Sequence, residues 1–270
     1  MKQLELKSPD NERNSIFVDA QVANLSSAFN GNLSCKEGVE FPIDKNIINL
    51  LTNREPKSTL AQMSNHWKLT ASVYEDVWRV NALSMLSGEK FPIQKEQELL
   101  IDWIDPESGH TYLDAGCSTA LYTRAIGKKI DDAQLIALDF SKEMLSEARK
   151  KCLEDDVDCF LLRADASELP FFSSSLDGIV CGGSLNEFYD PAKVLYEFKR
   201  VLKSGGSVFM MHLLSADTWY GKLLQEPMKA GGLHFWNKKE SNELFERTGF
   251  AVEKQEVHGI VCFSKLRPMD

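Results

Sequence analysis

The spacing of apolar residues along the chain changes near residue 109. Before that point, apolar positions recur at helical intervals over residues 65–86 and again over residues 93–104. Residues 1–60 are polar and only weakly periodic, apart from a small β-element with a turn predicted within residues 33–51. The amino-terminal part of the chain is therefore expected to hold helices and a minor β-element.

After residue 109, short apolar runs of strand length alternate with amphipathic stretches of helix length. Strands are predicted at residues 110–115, 133–139, 157–162, 176–181 and 207–213, and helices at residues 119–129, 141–152, 192–202 and 237–248. The tail from 250 to 263 alternates like a further strand. This order predicts βαβ units and an α/β fold with an open, doubly wound, mostly parallel sheet and helices on both faces. Such sheets bind ligands where the carboxyl ends of the strands diverge.

Composition narrows the class of partner. With 31 basic and 40 acidic side chains the net charge is −9, which disfavours a nucleic-acid partner because phosphates need clustered Lys and Arg. No run of roughly 18 apolar residues occurs, so no integral membrane association is expected. The six cysteines lie far apart, as is typical of free thiols in a reducing compartment. We therefore expect a cytoplasmic protein.

The first strand of the α/β region ends in a loop that reads Asp114-Ala115-Gly116-Cys117-Ser118. Small residues allow a ligand to approach the backbone, but a dinucleotide site normally has three glycines, and Asp114 would repel a phosphate. A carboxylate at this position suits a cationic ligand such as an amino-acid ammonium. The alternative is an ordinary strand-to-helix turn with a capping aspartate.

Acidic residues also follow the next two strands. Asp139 follows Asp114 at close to the ~20-residue interval at which a carboxylate grips the hydroxyls of a ribose. Its alternative role, capping the next helix, can be filled by Ser141. Asp165 could accept a hydrogen bond from an adenine amine with Ala166 supplying backbone, or it could simply stabilise a turn.

In this order, the segments LDAGCSTALYT, ALDFSKEMLSEA, RADASELPF, SSLDGIVCGGSLNEFYDP and EFKRVLKSGG resemble the class I S-adenosylmethionine-dependent methyltransferases, in particular the ubiquinone/menaquinone-methyltransferase-like branch. The likeness covers roughly residues 112–206. More narrowly, the chain is similar to methyltransferase-like proteins of plastids and cyanobacteria, in which a ribbon-like segment and a helix with Tyr-x-x-x-Trp-Arg come first. Tyr74, Trp78 and Arg79 fit that helix, and the degenerate ribbon retains only Cys35, so no metal site is expected.

The resemblance implies a seven-stranded Rossmann-like sheet and S-adenosylmethionine as the cofactor. It divides the chain into an amino-terminal extension (residues 1–60), a helical lid (61–108) and a cofactor-binding domain (109–270) with a substrate-pocket insertion (214–236). It implies contacts to the methionine part, the ribose, the adenine and the sulfonium by Tyr74 in the lid and by Asp114, Gly116, Cys117, Ser118, Asp139, Phe140, Met144, Asp165, Ala166, Cys181 and Gly182. The family favours glycine where this chain has Ser118 and Ala120, so a positive φ at either position would cost ~1 kcal/mol or more.

Three residues are candidates for a catalytic base: His212 at the end of the fifth strand, His234 and Glu187. Each histidine could instead be structural, and Glu187 could be a cap or an ion-pair partner. Methyl transfer needs mainly positioning and exclusion of water, so a single base or none is enough.

The insertion carries the apolar side chains that would form the acceptor pocket, or else pack the insertion onto the domain: Trp219, Tyr220, Met228, Leu233, Phe235 and Trp236. We therefore expect C- or O-methylation of a small hydrophobic metabolite. The alternatives are a cyclase or isomerase that binds the same cofactor without transferring its methyl group, and a non-catalytic protein of the same fold. An RNA substrate is disfavoured by the charge, and the sequence predicts no oligomeric state.

Overall fold

A computed structural model describes residues 3–8, 15–35, 38–51, 84 and 86–269 of the chain. Tyr74, Trp78 and Arg79 lie outside the described residues, as does most of the expected helical lid. Among the described residues, no helix is both long enough and apolar enough to cross a bilayer.

Strands and helices alternate from residue 93 to residue 163, and after that two strands or two helices follow one another at some points. The strands are β1 (Leu4–Lys7), β2 (Ser15–Val18), β3 (Gly31–Ser34), β4 (Glu40–Asp44), β5 (Ile47–Asn49), β6 (Thr111–Ala115), β7 (Gln134–Asp139), β8 (Phe160–Arg163), β9 (Leu176–Gly182), β10 (Leu202–Leu213), β11 (Phe250–His258) and β12 (Val261–Pro268). The helices are α1 (Ile93–Ile104), α2 (Leu121–Lys129), α3 (Lys142–Glu154), α4 (Pro191–Val201), α5 (Trp219–Ala230) and α6 (Lys238–Arg247).

The main sheet has the order β11-β12-β10-β9-β6-β7-β8-β5-β4-β3. The pairs from β10 through β9, β6 and β7 to β8 are all parallel, and β12 closes the far side antiparallel to β10 and β11. The predicted doubly wound α/β fold is confirmed. Chain order reverses between β6 and β9, and such a reversal opens a crevice at the carboxyl ends of the strands.

The sheet holds ten strands rather than the expected seven, because part of the amino-terminal extension joins it. Strand β5 pairs in parallel with β8, and β4 and β3 follow in antiparallel order. The small β-element expected within residues 33–51 is therefore part of the main sheet. These strands are short and carry few apolar residues, so their periodicity gave no sign of the partner strand.

Apolar side chains cover both faces of this sheet. Phe41, Ile43 and Ile48 from the extension belong to the same buried cluster as Leu113 and Ile136 of the central strands. Burial of each such side chain stabilises the fold by roughly 1.5–3 kcal/mol. The extension thus shares the core of the α/β domain.

The helices begin at residues whose side chains satisfy the first backbone amides. Ser141 Oγ accepts a hydrogen bond from Met144 N at 3.2 Å, which confirms Ser141 as the predicted cap of α3. Asp190 caps α4, with Pro191 in its first turn, and Asn237 forms a capping box at the start of α6.

Candidate functional site

The loop after β6 meets the end of β7 at the carboxyl edge of the sheet. The backbone amides of Gly116 and Cys117 both donate to Leu138 O, at 2.9 and 3.0 Å. Ser118 N donates to Asp139 Oδ2 at 2.9 Å. The structure therefore brings together the loop and the acidic residue that the sequence singled out separately.

This loop adopts left-handed backbone at three positions. Gly116 has φ 68°, Ser118 has φ 50° and Ala120 has φ 60°. Glycine is required at 116, since a Cβ there would lie 2.3 Å from Ser184 Oγ. Serine and alanine at the other two positions hold a conformation that costs an L-residue about 1–2 kcal/mol. The loop keeps the shape that suits glycine at both substituted positions and stores strain there.

Asp114 lies below the loop and is buried. Its Oδ2 accepts hydrogen bonds from Thr123 N at 3.1 Å and Thr123 Oγ1 at 2.9 Å, which fixes the first turn of α2. Burial, reinforced by the negative charges of Asp139 and Asp114, raises the pKa of the Cys117 thiol well above its usual value. Asp114 thus anchors the turn, and the two carboxylates make the edge electronegative, which favours a cation over a phosphate.

Asp139 ends β7 with its carboxylate held in place. One oxygen accepts from Ser118 N and the other from Ser141 N, at 2.9 Å each. Each carboxylate oxygen has two lone-pair sites, so one oxygen can accept from more than one donor. The sulfur of the buried Met144 lies 3.5 Å from Ser118 Oγ, which packs α3 against the loop. Phe140 follows Asp139 and is half-buried.

Asp165 and Ala166 follow β8 at the same edge. Asp165 Oδ1 accepts from Ser167 N at 2.8 Å, so its carboxylate stabilises a turn, as one of the two interpretations expected. Ala164 N donates to Asp139 O at 3.2 Å, which places this segment beside the end of β7. Ala166 is buried.

Cys181 and Gly182 at the end of β9 differ in burial. The side chain of Cys181 is fully buried in the core, and burial strongly raises the pKa of its thiol, so this side chain does not line the edge. Gly182 ends β9 and is half-buried. The backbone turns outward at Gly183, which has φ 97°, and Ser184 Oγ then donates to Gly116 O at 3.2 Å.

The expected role of His212 as a base is not supported. Successive side chains along β10 point to opposite faces of the sheet. His212 points into the core, where its ring lies 5.7 Å from that of Phe245. The side chain is fully buried, and neither ring nitrogen has a hydrogen-bond partner among the described residues. Burial lowers the pKa of His212 to about 3. A buried neutral imidazole in this position cannot reach an acceptor at the sheet edge.

The other two candidate bases lie nearer the surface. His234 is exposed and pairs with Glu240, with 3.3 Å between Nε2 and Oε1, and its ring packs edge-on against Trp236. Glu187 is half-buried and directly follows the short turn Ser184–Asn186 after β9. Glu187 follows the segment that contacts the Gly116 loop, and His234 N donates to Asn186 O of that segment at 2.8 Å, so both residues lie beside it.

Asn186 is a structural residue of this edge that the sequence did not single out. Its Nδ2 donates to Leu213 O at 2.8 Å and to His234 O at 2.6 Å, and its Oδ1 accepts from Leu213 N at 2.8 Å. Asn186 therefore ties β9 to both ends of the insertion. The sequence carries no signal for these bonds, because Asn186 lies in the turn after β9 and its partners are 27 and 48 positions away.

Arg163 is a second residue that the sequence did not single out. Its Nε donates to Phe140 O at 3.0 Å, and its Nη1 lies 3.5 Å from Asn49 Oδ1. Leu50 N donates to Arg163 O at 3.0 Å. The amino-terminal extension is thus connected to the loop after Asp139 through one side chain.

The large apolar side chains of the insertion differ in burial. Phe235 and Trp236 are buried and Met228 and Leu233 are half-buried, whereas Trp219 and Tyr220 on α5 are exposed. A separate cleft of about 390 Å³ lies at the amino-terminal ends of the strands, beside Thr111 and Gln134, the first residues of β6 and β7. That cleft is therefore not part of the candidate site.

Comparison with known proteins adds to this geometry. Residues 113–210 match a family model described as a methyltransferase domain. Over 206 residues the chain is 32% identical to a demethylmenaquinone methyltransferase of Bacillus velezensis, covering 67% of this chain and 87% of that protein. Over 193 residues it is 29% identical to an uncharacterised chloroplastic methyltransferase of Arabidopsis thaliana, covering 67% of this chain and 53% of that one.

A solved structure shares the fold at low identity. The cyclase SpnF superposes with a TM-score of 0.61 at 16% identity, covering 80% of this chain and 99% of that one. The chain spans about half the length of the Arabidopsis relatives it matches, at 53% and 40%.

Proposed function

This chain belongs to the S-adenosylmethionine-dependent methyltransferase family, and from that premise we propose that it methylates a small hydrophobic acceptor. The observation that carries the proposal is the bond from Ser118 N to the Asp139 carboxylate, which joins the loop after β6 to the acidic end of β7. This is the place where a doubly wound sheet binds a nucleotide-like ligand.

The residues at this edge fit the cofactor. Asp139 would accept both ribose hydroxyls, while the negative field of Asp114 and the loop from Gly116 to Ser118 would hold the ammonium of the methionine part. Phe140 and Met144 would contact the adenine ring, with the Asp165-Ala166 segment at its edge. When bound, the cofactor supplies a methyl group on a reactive sulfonium; the protein's part is to orient the acceptor and exclude water.

The acceptor that we propose is a quinone-type or similarly apolar ring methylated on carbon or oxygen. The relatives support this acceptor class, since they include methyltransferases named for demethylmenaquinone and for 2-methyl-6-phytyl-1,4-hydroquinone. If a base takes part, Glu187 and His234 are the two candidates that remain, since both lie beside the Ser184–Asn186 turn. Such a reaction belongs to small-molecule biosynthesis.

The cyclase alternative draws on a similarity that concerns the fold alone, at 16% identity. The methyltransferases among the sequence relatives favour methyl transfer over it. The non-catalytic alternative draws on the strain at Ser118 and Ala120, but the loop keeps its left-handed shape at both positions. We therefore retain methyl transfer as the proposed function.

We also propose a reducing compartment such as the cytoplasm as the location. All six cysteines are free and buried. This state suits a reducing environment. The net charge of −9 supports a small-molecule partner over a nucleic acid.

The test is calorimetric titration of the purified protein with S-adenosylmethionine and S-adenosylhomocysteine. We expect saturable binding of both, weakened at least tenfold in Asp139→Asn because the ribose loses a charged acceptor worth about 1.5–3 kcal/mol. The matched control is Asp131→Asn, an exposed acid before β7, which should bind as the parent does.

Folded protein that binds neither compound would overturn the proposal. Binding without S-adenosylhomocysteine formation across a panel of quinol-type acceptors would favour the cyclase alternative.

A further inference from the structure

Helix α5 exposes a contiguous apolar face. Trp219, Tyr220, Leu223 and Leu224 are 77%, 57%, 64% and 71% exposed. Residues at this spacing lie on one side of a helix. We call these four side chains the α5 apolar face. Isolated exposed apolar residues are common on proteins, but four large neighbours on one helix mark an interaction surface.

The opposite side of the helix fixes the direction of this face. Gln225 is buried, and its Nε2 donates to Leu214 O at 3.0 Å while its Oε1 accepts from Ala216 N at 3.1 Å. Both bonds join α5 to the segment directly after β10. The α5 apolar face therefore points away from the domain.

The insertion that carries the face is anchored beside the candidate site. Asn186 binds the backbone at Leu213 and at His234, on either side of α5, and its own short turn contacts the Gly116 loop through Ser184. The helix with the α5 apolar face is thus tied at both ends to the place where the cofactor and acceptor are proposed to meet.

The charges around the face limit what can cover it. Lys222 lies within the run and has no acidic partner at ion-pair distance among the residues that the structure describes, whereas Lys229 pairs with Glu226 at 2.8 Å. The whole chain carries −9, so its overall charge opposes docking on an anionic surface. Trp and Tyr are the residues enriched at the boundary between lipid headgroups and acyl chains, and a neighbouring Lys can extend to a lipid phosphate.

We propose that α5 docks on a lipid bilayer, burying the α5 apolar face at the level of the upper acyl chains with Lys222 at the phosphates. This proposal rests on the proposed function: an acceptor with an apolar ring and tail partitions into bilayers, and a site beside the membrane surface can take it up directly. Docking is driven by apolar burial, so it requires no anionic lipid and depends little on salt.

Sedimentation with phosphatidylcholine vesicles tests the proposal. We expect the parent protein to bind and Leu223→Gln/Leu224→Gln to bind at least tenfold more weakly, since both positions are exposed and the variant should fold. The matched control is Phe17→Gln, which removes an exposed apolar side chain from β2 in the separate β1–β2 sheet and should bind as the parent does.

Fluorescence quenching by vesicles with brominated acyl chains locates the contact. Quenching should be strong in the parent and largely lost in Trp219→Phe, which keeps an apolar side chain and therefore keeps vesicle binding. A parent that does not sediment with vesicles, or a double variant that binds equally well, would overturn the proposal. So would a dimer, detected by light scattering and lost in the double variant, because a second copy would then cover the face.

Neither the cofactor nor an acceptor is present in these assays. A protein that binds S-adenosylmethionine but not vesicles would contradict this inference alone. A protein that binds vesicles but not the cofactor would contradict the proposed function alone.

Discussion

Two of the eight non-glycine residues with positive φ in the described part of the chain lie in the loop that carries the candidate site. Ser118 and Ala120 have positive φ, and each is held by a backbone hydrogen bond: Ser118 N to Asp139 Oδ2 at 2.9 Å and Ala120 N to Cys117 O at 2.8 Å. Strained backbone persists only where surrounding contacts determine it, and it is often found at binding sites. The loop shape is thus imposed by Asp139 and the loop's own bonds rather than by residue preference.

Ser118→Gly should therefore stabilise the protein. Glycine removes the left-handed penalty of about 1–2 kcal/mol but makes the unfolded chain more flexible, so a net gain of about 0.5–1 kcal/mol in the free energy of unfolding is expected. Urea unfolding measures it. Ser118→Ala is the matched control, because it removes the hydroxyl and keeps the strain; an equal gain in both variants would show that the backbone conformation is not the cause.

The buried His212 predicts a specific dependence of stability on pH. Its folded pKa is lowered to about 3, below the ordinary value of 6.5, so the folded state favours the neutral ring. Its contribution is fully present above the unfolded pKa and is lost as the pH falls from 6.5 toward 3. Between pH 7 and pH 5 the loss is about 2 kcal/mol, and it continues at about 1.4 kcal/mol per pH unit below that.

His212→Phe should remove this dependence and raise the free energy of unfolding at pH 7. The ring is of similar size and leaves no unpaired nitrogens, whose burial costs about 1–3 kcal/mol. Urea unfolding of the parent and of His212→Phe at pH 7 and pH 5 gives the difference directly. His110→Gln, at a half-buried site, is the control that should keep the parent's slope; an unchanged slope in His212→Phe would contradict the assignment.

Among the elements, strand β5 contacts Arg163, a residue that also contacts the proposed cofactor site. It lies at the edge of β8, and Arg163 at the end of β8 reaches both Asn49 on β5 and the carbonyl of Phe140. Phe140 directly follows the carboxylate proposed to bind the ribose. The Arg163 guanidinium thus joins an amino-terminal strand to the proposed cofactor site.

Arg163→Met should weaken S-adenosylmethionine binding about threefold to tenfold, because the Phe140 carbonyl loses a charge-assisted hydrogen bond worth about 1.5–3 kcal/mol and the loop loses part of its order. Asn49→Ala should have a smaller effect, since the contact it removes is 3.5 Å long. Calorimetry gives both dissociation constants. Arg247→Met, at an exposed position, should leave affinity unchanged. If Arg163→Met lowers the melting temperature but not the affinity, Arg163 is structural only.

The sequence predicted those elements whose own apolar pattern is enough to identify them as a strand or a helix. Strands β6 to β10 are buried runs of strand length, and the helices between them have clear periods and caps such as Ser141, so the α/β fold could be derived. Two features could not. Strands β3 to β5 are short, and their pairing with β8 depends on residues more than a hundred positions away. The direction of His212 depends on parity in a strand buried on both faces, where the pattern gives no preferred side.

The site was predictable to the same degree. Asp114, Asp139 and Asp165 follow consecutive predicted strands, so their meeting at one edge follows from topology. The roles of Ser184 and Arg163 follow from close contacts to backbone carbonyls of other segments, and the sequence has no signal for those.

At the scale of the whole molecule, the extension and the α/β domain share one core. The sheet is continuous from β11 to β3, and Phe41 on β4 is fully buried in the cluster that includes Leu113 and Ile136. Elements whose apolar side chains form one core expose those side chains to water in the same unfolding step. We therefore expect the extension to unfold with the domain in a single cooperative transition rather than as a separate unit.

Phe41→Ala tests this expectation. Loss of a fully buried phenylalanine should lower the free energy of unfolding by about 3–5 kcal/mol and shift the one transition seen by both circular dichroism and tryptophan fluorescence. Phe17→Ala, which removes an exposed ring from β2, should change it by about 0.5 kcal/mol or less. If Phe41→Ala instead split unfolding into two steps, with the later step at the parent's midpoint, the extension would be an independent unit. Strand β5 also contacts Arg163. A single transition would therefore mean that a substitution that destabilises the extension also destabilises the proposed cofactor site.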